Sequence, residues 1–97
     1  MDISIVIGSH NQKDQLSRVI NGYKNQQTNA SFEVIIVDSF STDGTGKMVD
    51  SHTELPFKLR FIQRNNPSGK AEARNIGVQE TTSELIIISD ADMIPDP

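Results

Sequence analysis

The sequence has no cysteine, which excludes disulfide bonds and thiolate-ligated metal sites. Positive charge is also scarce: 9 Lys and Arg stand against 13 Asp and Glu, for a net charge of −4. This balance disfavours nucleic acid or an anionic membrane surface as the main partner. No aliphatic run approaches the roughly 18 residues of a membrane-spanning helix, and a strand-like segment that starts almost at Met1 leaves no room for a signal peptide. We therefore expect a cytoplasmic location, with any membrane association made only through regions outside this chain.

Short β-branched runs alternate with helical patterns along the 97 residues, a length that suits one domain. The predicted strands cover residues 3–7, 32–37, 59–62 and 85–88, and the predicted helices cover 12–26, 46–52 and 70–79. This alternation predicts an α/β fold, Rossmann-like and three-layered (α/β/α), around a mainly parallel sheet of about four strands in the order 3-2-1-4. The aliphatic run at 85–88 is typical of a strand that is buried on both faces.

Polar residues cluster where the predicted strands end. In open α/β sheets, ligands bind beyond the carboxyl ends of the strands, at the point where strand order reverses. Because strands 1, 2 and 4 are predicted neighbours, we expect their terminal polar residues to converge on one edge. These residues are Ser9, His10 and Asn11 after strand 1, Asp38 after strand 2, and Asp90 and Asp92 after strand 4.

The carboxylates in this set each allow two interpretations. Asp90 and Asp92 suit a solvated turn, since Asp is common in turns. Taken alone, the turn is the favoured interpretation; the alternative is a hard divalent cation that carries a phosphate, because two like charges held close need a counter-ion. Asp38 is either a cap for the following turn or a fixed carboxylate that accepts a nucleobase N–H. The expected convergence favours a ligand site over separate turns.

The start of the third helix combines small and basic residues. The small residues are consistent with simple close packing of helix against sheet. In the functional interpretation, Gly69 and the helix amino terminus approach a phosphate or base, and Lys70 and Arg74 supply positive charge from one helix face. The chain lacks both a Walker loop and a Rossmann glycine fingerprint, which disfavours a dinucleotide site.

Four blocks, at residues 4–11, 34–45, 69–77 and 85–92, together resemble the family 2 glycosyltransferases of GT-A fold in their order and spacing. The resemblance implies a nucleotide-diphosphate-sugar donor, a UDP-sugar by expectation, and a Mg²⁺ or Mn²⁺ ion. By position, Asp38 is similar to the family's base-recognising aspartate, and residues 9–11 to the loop beside the nucleoside. Arg74 is similar to the arginine near the nucleotide. Asp90 and Asp92 match the D-x-D motif that holds ribose and metal-bound diphosphate.

The resemblance also implies what the chain does not contain. Residues 1–97 correspond to the donor-binding part of a GT-A domain, and the acceptor-binding part is absent. The family's general base lies in that part, beyond Pro97, so no catalytic residue is identified here. We therefore expect transfer with inversion only in a longer protein, and binding without useful turnover in this chain. The last strand would then lie at an unprotected sheet edge, where a homo-oligomer can form.

Two other classes of function remain open at this stage. One is a non-catalytic module that binds nucleotide or metal, or that oligomerises. The other is a phosphatase with Asp90 as nucleophile. Phosphatases of that kind carry the motif on the first strand followed by Gly-Thr, whereas here it lies on the last strand and is followed by Met93, Ile94 and Pro95.

Overall fold

The computed structural model describes residues 2–26, 31–64 and 70–91. Strands and helices alternate as predicted: β1 (Ile3–Ser9), α1 (Lys13–Lys24), β2 (Phe32–Ser39), α2 (Thr45–Asp50), β3 (Lys58–Arg64), α3 (Lys70–Gln79) and β4 (Leu85–Asp90). Each strand ends two residues later than the aliphatic run that predicted it. The parallel ladder continues past the apolar residues, so the polar residues at the carboxyl ends are still held by backbone hydrogen bonds. None of the described helices is long and apolar enough to cross a membrane.

The four strands form one parallel sheet in the order β3-β2-β1-β4, which confirms the predicted topology. β1 lies between β2 and β4, so strand order reverses beside it. The register pairs Ser9 with Asp38 on one side of β1 and Gly8 with Asp90 on the other. The carboxyl ends of three strands therefore meet where the sequence predicted.

The two central strands are covered on both faces. α1 and α2 pack on one face of the sheet over a core that includes Ile5, Ile7, Leu16, Val19, Ile20, Val34 and Ile36. α3 packs on the other face, against β1 and β2, over a smaller core of Ile35, Val37 and Ala73. A Rossmann-like, three-layer α/β/α arrangement results.

α3 lies very close to the sheet because one of its residues has no side chain. A Cβ built on Gly77 would lie 2.3 Å from Cγ1 of Val6 and 3.3 Å from Cγ2 of Val37. Ala73, on the same helix, is fully buried. The packing interpretation of the small residues is therefore confirmed for α3, and it leaves open a second role for the basic residues of that helix.

The predicted burial of residues 85–88 on both faces is wrong. In β4 the exposed fractions are 52% for Leu85, 36% for Ile86, 42% for Ile87 and 55% for Ile88. α1 and α3 lie over β1 and β2, and β4 is the edge strand next to them. Within the described residues neither face of β4 is fully covered at residues 85–88, and β4 lies at an open sheet edge, as expected.

A buried polar network fixes the amino end of the sheet. The hydroxyl of Ser4, fully buried on β1, donates to Oε2 of Glu33 at 3.1 Å. It also pairs with the hydroxyls of Thr81 and Ser83, which precede β4. Arg60 lies 3.7 Å from Glu33. Because a hydroxyl has one donor and two acceptor positions, Ser4 is satisfied, and the network holds the start of β4 beside β1.

Candidate functional site

The carboxyl edge of the sheet carries two groups of polar side chains, one on each side of β1. The first group joins the loops after β1 and β2 and contains Ser9, His10, Asn11, Asp38, Ser41 and Thr42. The second group is Arg74 on α3 and Asp90 at the end of β4. Side chains alternate between sheet faces, so Ser9 and Asp38 lie on the face of α1, and Asp90 lies on the face of α3. The predicted residues share one edge but approach it from opposite faces.

Asp38 is fully buried at the end of β2. Its Oδ1 accepts hydrogen bonds from the hydroxyls of Ser9 at 2.8 Å and Ser41 at 2.5 Å. Its Oδ2 accepts the backbone N–H of Ser41 at 2.9 Å. The carboxylate thus caps the turn that follows β2, as the turn interpretation expected. Because Asp38 is fully buried, a nucleobase N–H could reach it only if the turn after β2 moved.

His10 and Asn11 connect the loop after β1 to the loop after β2. His10 Nδ1 donates to the carbonyl oxygen of Ser39. The backbone N–H of Asn11 donates to Oγ of Ser41 at 2.8 Å, and the backbone N–H of Thr42 donates to Oδ1 of Asn11, also at 2.8 Å. Asn11 has φ 49°, a left-handed conformation that Asn tolerates better than most residues. Both predicted residues are exposed and belong to one cross-linked surface.

Phe40 is a feature of this surface whose conformation the sequence did not indicate. Its φ is 55°, which is rare for a bulky residue, and its side chain is 43% exposed. It lies between Asp38 and Ser41, whose hydrogen bonds hold the turn in this shape. The turn therefore presents an aromatic side chain to solvent at the edge where the two loops meet.

Asp43 connects the same two loops to the helices that follow them. The sequence analysis does not predict this role. Its Oδ2 accepts the N–H of Lys13, the first residue of α1, at 3.1 Å. Its Oδ1 accepts the N–H and the hydroxyl of Thr45, the first residue of α2. Burial raises the pKa of Asp43, but the hydrogen bonds from Thr45 and from backbone N–H groups outweigh it and lower the pKa below the usual value. One carboxylate thus caps both helices.

Arg74 and Asp90 form an ion pair between α3 and β4. Nη2 of Arg74 donates to Oδ1 of Asp90. The side chains are 31% and 43% exposed. Nε of Arg74 is buried and has no hydrogen-bond partner among the described residues. The sequence predicts both residues at the site but does not predict their direct pairing.

Three of the predicted site residues lie at the limits of the described segments or beyond them. Lys70 is the first residue of α3, in line with the prediction for that helix. Gly69 and Asp92 lie outside the described residues. Ala91 is fully buried in the core on the α1 face, so the backbone is anchored directly before Asp92. The assignments of Gly69, Lys70 and Asp92 to a ligand stay predictions.

The donor chemistry at Asp90 fits a hard divalent cation in part. Asp90 offers carboxylate oxygens at a solvent-accessible edge, and Mg²⁺ typically uses one or two carboxylates together with substrate phosphates. Among residues 2–26, 31–64 and 70–91, no group of three or more His, Asp or Glu side chains is arranged to hold a metal ion. A cation at this edge would therefore need ligands from a bound phosphate as well as from the protein.

Comparison with known proteins agrees with the fold and with the order of the motifs. The profile described as Glycosyl transferase family 2 matches residues 4–97. The chain belongs to this family. Relatives include an uncharacterised glycosyltransferase of Bacillus subtilis, YfnE, 31% identical over 94 residues, and the glycosyltransferase GlyG of Streptococcus pneumoniae, 32% identical over 92 residues. The matches cover 97% and 95% of this chain, which spans 24% and 30% of the length of those proteins.

Solved structures of glycosyltransferases share the fold. Staphylococcus aureus TarS 1–349 in complex with UDP-GlcNAc superposes with a TM-score of 0.84 at 26% identity, over 95% of this chain and 27% of TarS. The mannosyltransferase PcManGT of Pyrobaculum calidifontis, in complex with GDP-Man and Mn²⁺, gives 0.80 at 28% identity, over 94% and 27%. The predicted family and the predicted GT-A type of fold are therefore confirmed.

Proposed function

We propose that this family 2 chain is the donor-binding part of a glycosyltransferase and binds a nucleotide-diphosphate sugar, a UDP-sugar, with Mg²⁺ or Mn²⁺. The observation that carries the proposal is the meeting of two polar groups at the reversal of strand order: the cross-linked loops around Asp38 and the Arg74–Asp90 pair. This is the position where open α/β sheets bind ligands.

The spacing of the two groups suits an extended nucleotide. Asp38 follows Val37 on β2, Asp90 ends β4, and β1 lies between them. Neighbouring strands are about 4.8 Å apart, which puts the backbones of β2 and β4 roughly 10 Å apart. A nucleoside diphosphate extends over a comparable distance from base to terminal phosphate. The base would lie by the loops after β1 and β2, and the diphosphate by α3 and β4.

The residues of each group have chemistry that matches these positions. His10 and Asn11 are exposed and offer hydrogen-bonding groups to a nucleoside. Ser9 and Asp38 are buried beside them and would contact the nucleoside only after the turn following β2 moves. Gly69, Lys70 and Arg74, at the amino end of α3, would contact phosphate, where an arginine and a helix terminus both favour negative charge. Asp90 and Asp92 would hold the cation. When bound, such a cation neutralises the diphosphate and makes it a better leaving group.

The complexes of related proteins support this assignment. TarS has been crystallised with UDP-GlcNAc, and PcManGT with GDP-Man and Mn²⁺. Both contain the fold of this chain within a much longer one. Transfer to an acceptor with inversion, and the general base that it needs, belong in our proposal to a longer protein, because a base must reach the acceptor hydroxyl.

Calorimetric titration with UDP, in the presence and absence of MnCl₂, tests the proposal. We expect binding of UDP that is strengthened by Mn²⁺. Asp92→Ala and Asp90→Asn should abolish that strengthening, since each removes a proposed cation ligand. Glu84→Gln is the matched control, because Glu84 is exposed directly before β4, at the amino end of the sheet. Absence of UDP binding, or Mn²⁺-strengthened binding that survives Asp92→Ala, contradicts the proposed site.

A further inference from the structure

The Arg74–Asp90 contact is an incomplete ion pair. An arginine commonly binds a carboxylate through two parallel N–H···O bonds. Here a single contact, from Nη2 to Oδ1, joins the two side chains. The Nε–H of Arg74 is buried without a partner among the described residues. An unpaired buried donor is unfavourable, so within the described residues Arg74 keeps an N–H that a further acceptor could take.

The charges at this position conflict with direct entry of a cation. A divalent cation that binds Asp90 meets Arg74 at the same carboxylate. Like charges repel, so the bare cation must displace the guanidinium or tolerate it close by. A diphosphate changes this balance, because it offers Arg74 new acceptor oxygens and brings negative charge to the cation.

We propose that Arg74 is the counter-ion of Asp90 in the empty site and that the divalent cation replaces it there when a nucleotide diphosphate binds. This inference rests on the proposed function and adds to it a role for Arg74 as a positioning residue. Arg74 opposes the bare cation and supports the diphosphate. The two ligands therefore bind cooperatively, and part of their coupling runs through one side chain.

The inference predicts effects of opposite sign from a single substitution. Arg74→Met removes the charge and keeps much of the aliphatic stem. It should bind Mn²⁺ alone about three- to tenfold more tightly than the unmodified chain, since one nearby positive charge is lost. It should bind UDP about tenfold or more weakly, because a charged hydrogen bond to phosphate is lost. Arg74→Lys keeps the charge and should leave the affinity for Mn²⁺ nearly unchanged.

Arg64 provides a matched control. Its Nη2 lies 3.3 Å from Oε1 of Glu72, so it also pairs a strand with α3, and its side chain is 25% exposed. β3, which carries Arg64, is separated from β4 by two strands. Arg64→Met removes the same charge from the whole molecule without touching Asp90. It should change neither affinity by more than about twofold, since three strand spacings, about 14 Å, exceed the screening length of about 10 Å at 0.1 M salt.

The experiment measures free Mn²⁺ by electron paramagnetic resonance during titration with MnCl₂, and UDP binding by calorimetry, for the unmodified chain and the three variants. Thermal unfolding of each variant confirms that it is folded. Tighter Mn²⁺ binding with weaker UDP binding in Arg74→Met supports the inference. Unchanged or weaker Mn²⁺ binding in Arg74→Met, while the unmodified chain binds UDP with Mn²⁺, overturns the inference and leaves the proposed function standing. An unmodified chain that binds neither ligand overturns both.

Discussion

At the scale of single residues, Gly77 decides how closely α3 can approach the sheet. A methyl group at this position would overlap Cγ1 of Val6, 2.3 Å away, and Val6 is β-branched and fully buried. We expect Gly77→Ala to lower the free energy of unfolding by roughly 1–3 kcal/mol, the usual cost of overpacking. That loss would be observed despite the gain of about 1 kcal/mol that alanine brings to a helix. Denaturant unfolding measures it.

Gly46→Ala is the control for this prediction. A Cβ on Gly46, in α2, would lie 3.7 Å from the ring of Phe61, an ordinary van der Waals distance. This variant should be as stable as the unmodified chain or up to about 1 kcal/mol more stable. A Gly77→Ala chain of unchanged stability would show that α3 moves away from the sheet at little cost.

Single residues also show which features of the site can be predicted from the sequence. Asp38, Asp90 and Arg74 were identified because a charged residue at the end of an aliphatic run, or among small helical residues, is a visible pattern. The left-handed φ of Phe40 is not visible as a sequence pattern, because it depends on the hydrogen bonds that Ser41 donates to Asp38. The double capping by Asp43 depends on Lys13, 30 positions away, which no local pattern encodes.

At the scale of elements, the order of strands and helices followed directly from periodicity, and the burial of β4 did not. Hydrophobic periodicity reports that a strand is apolar, but coverage of its faces depends on which helices lie above and below it. α1 and α3 cover β1 and β2 instead. The aliphatic runs also end two residues before the strands do, because backbone pairing continues through Ser9, Ser39 and Asp90.

The exposed edge of β4 leads to a prediction about association. Unpaired backbone groups and four exposed aliphatic side chains favour pairing with another chain. We expect the 97-residue chain to self-associate at high concentration, and a double variant, Leu85→Lys with Ile88→Lys, to associate much less. Both side chains are more than half exposed, at 52% and 55%, so the stability of the fold should change little. Light scattering over a concentration series measures the effect.

Phe40→Asn serves as the control for association. It removes an exposed aromatic side chain at a distance from the β4 edge and keeps a residue type that tolerates a positive φ. Association should persist in this variant. A monomeric unmodified chain at high concentration would count against self-association through β4.

At the scale of the whole molecule, the polar groups at the two ends of the sheet differ in how they are paired. The amino end holds a buried polar network in which the hydroxyl of Ser4 joins Glu33 to Ser83. The carboxyl end holds two cross-linked loops and the Arg74–Asp90 ion pair, in which Nε of Arg74 has no partner among the described residues. A buried network stabilises strand register, whereas partly exposed, incompletely paired charges suit ligand exchange. The side chains suited to binding a ligand therefore lie at the carboxyl edge of the sheet. The chain that carries them spans 24% to 30% of the length of the relatives described above.

The location of nucleotide binding tests the central claim most directly. Amide spectra of the ¹⁵N-labelled chain, recorded during titration with UDP and MgCl₂, report which residues sense the ligand. We predict shifts at the carboxyl edge, at Ser9, Asn11, Ser41, Arg74 and Asp90, with the amides of Ser4, Glu33 and Ser83 unchanged. Shifts confined to the amino end of the sheet or to the apolar faces of β4, or no shifts at all, would contradict that claim.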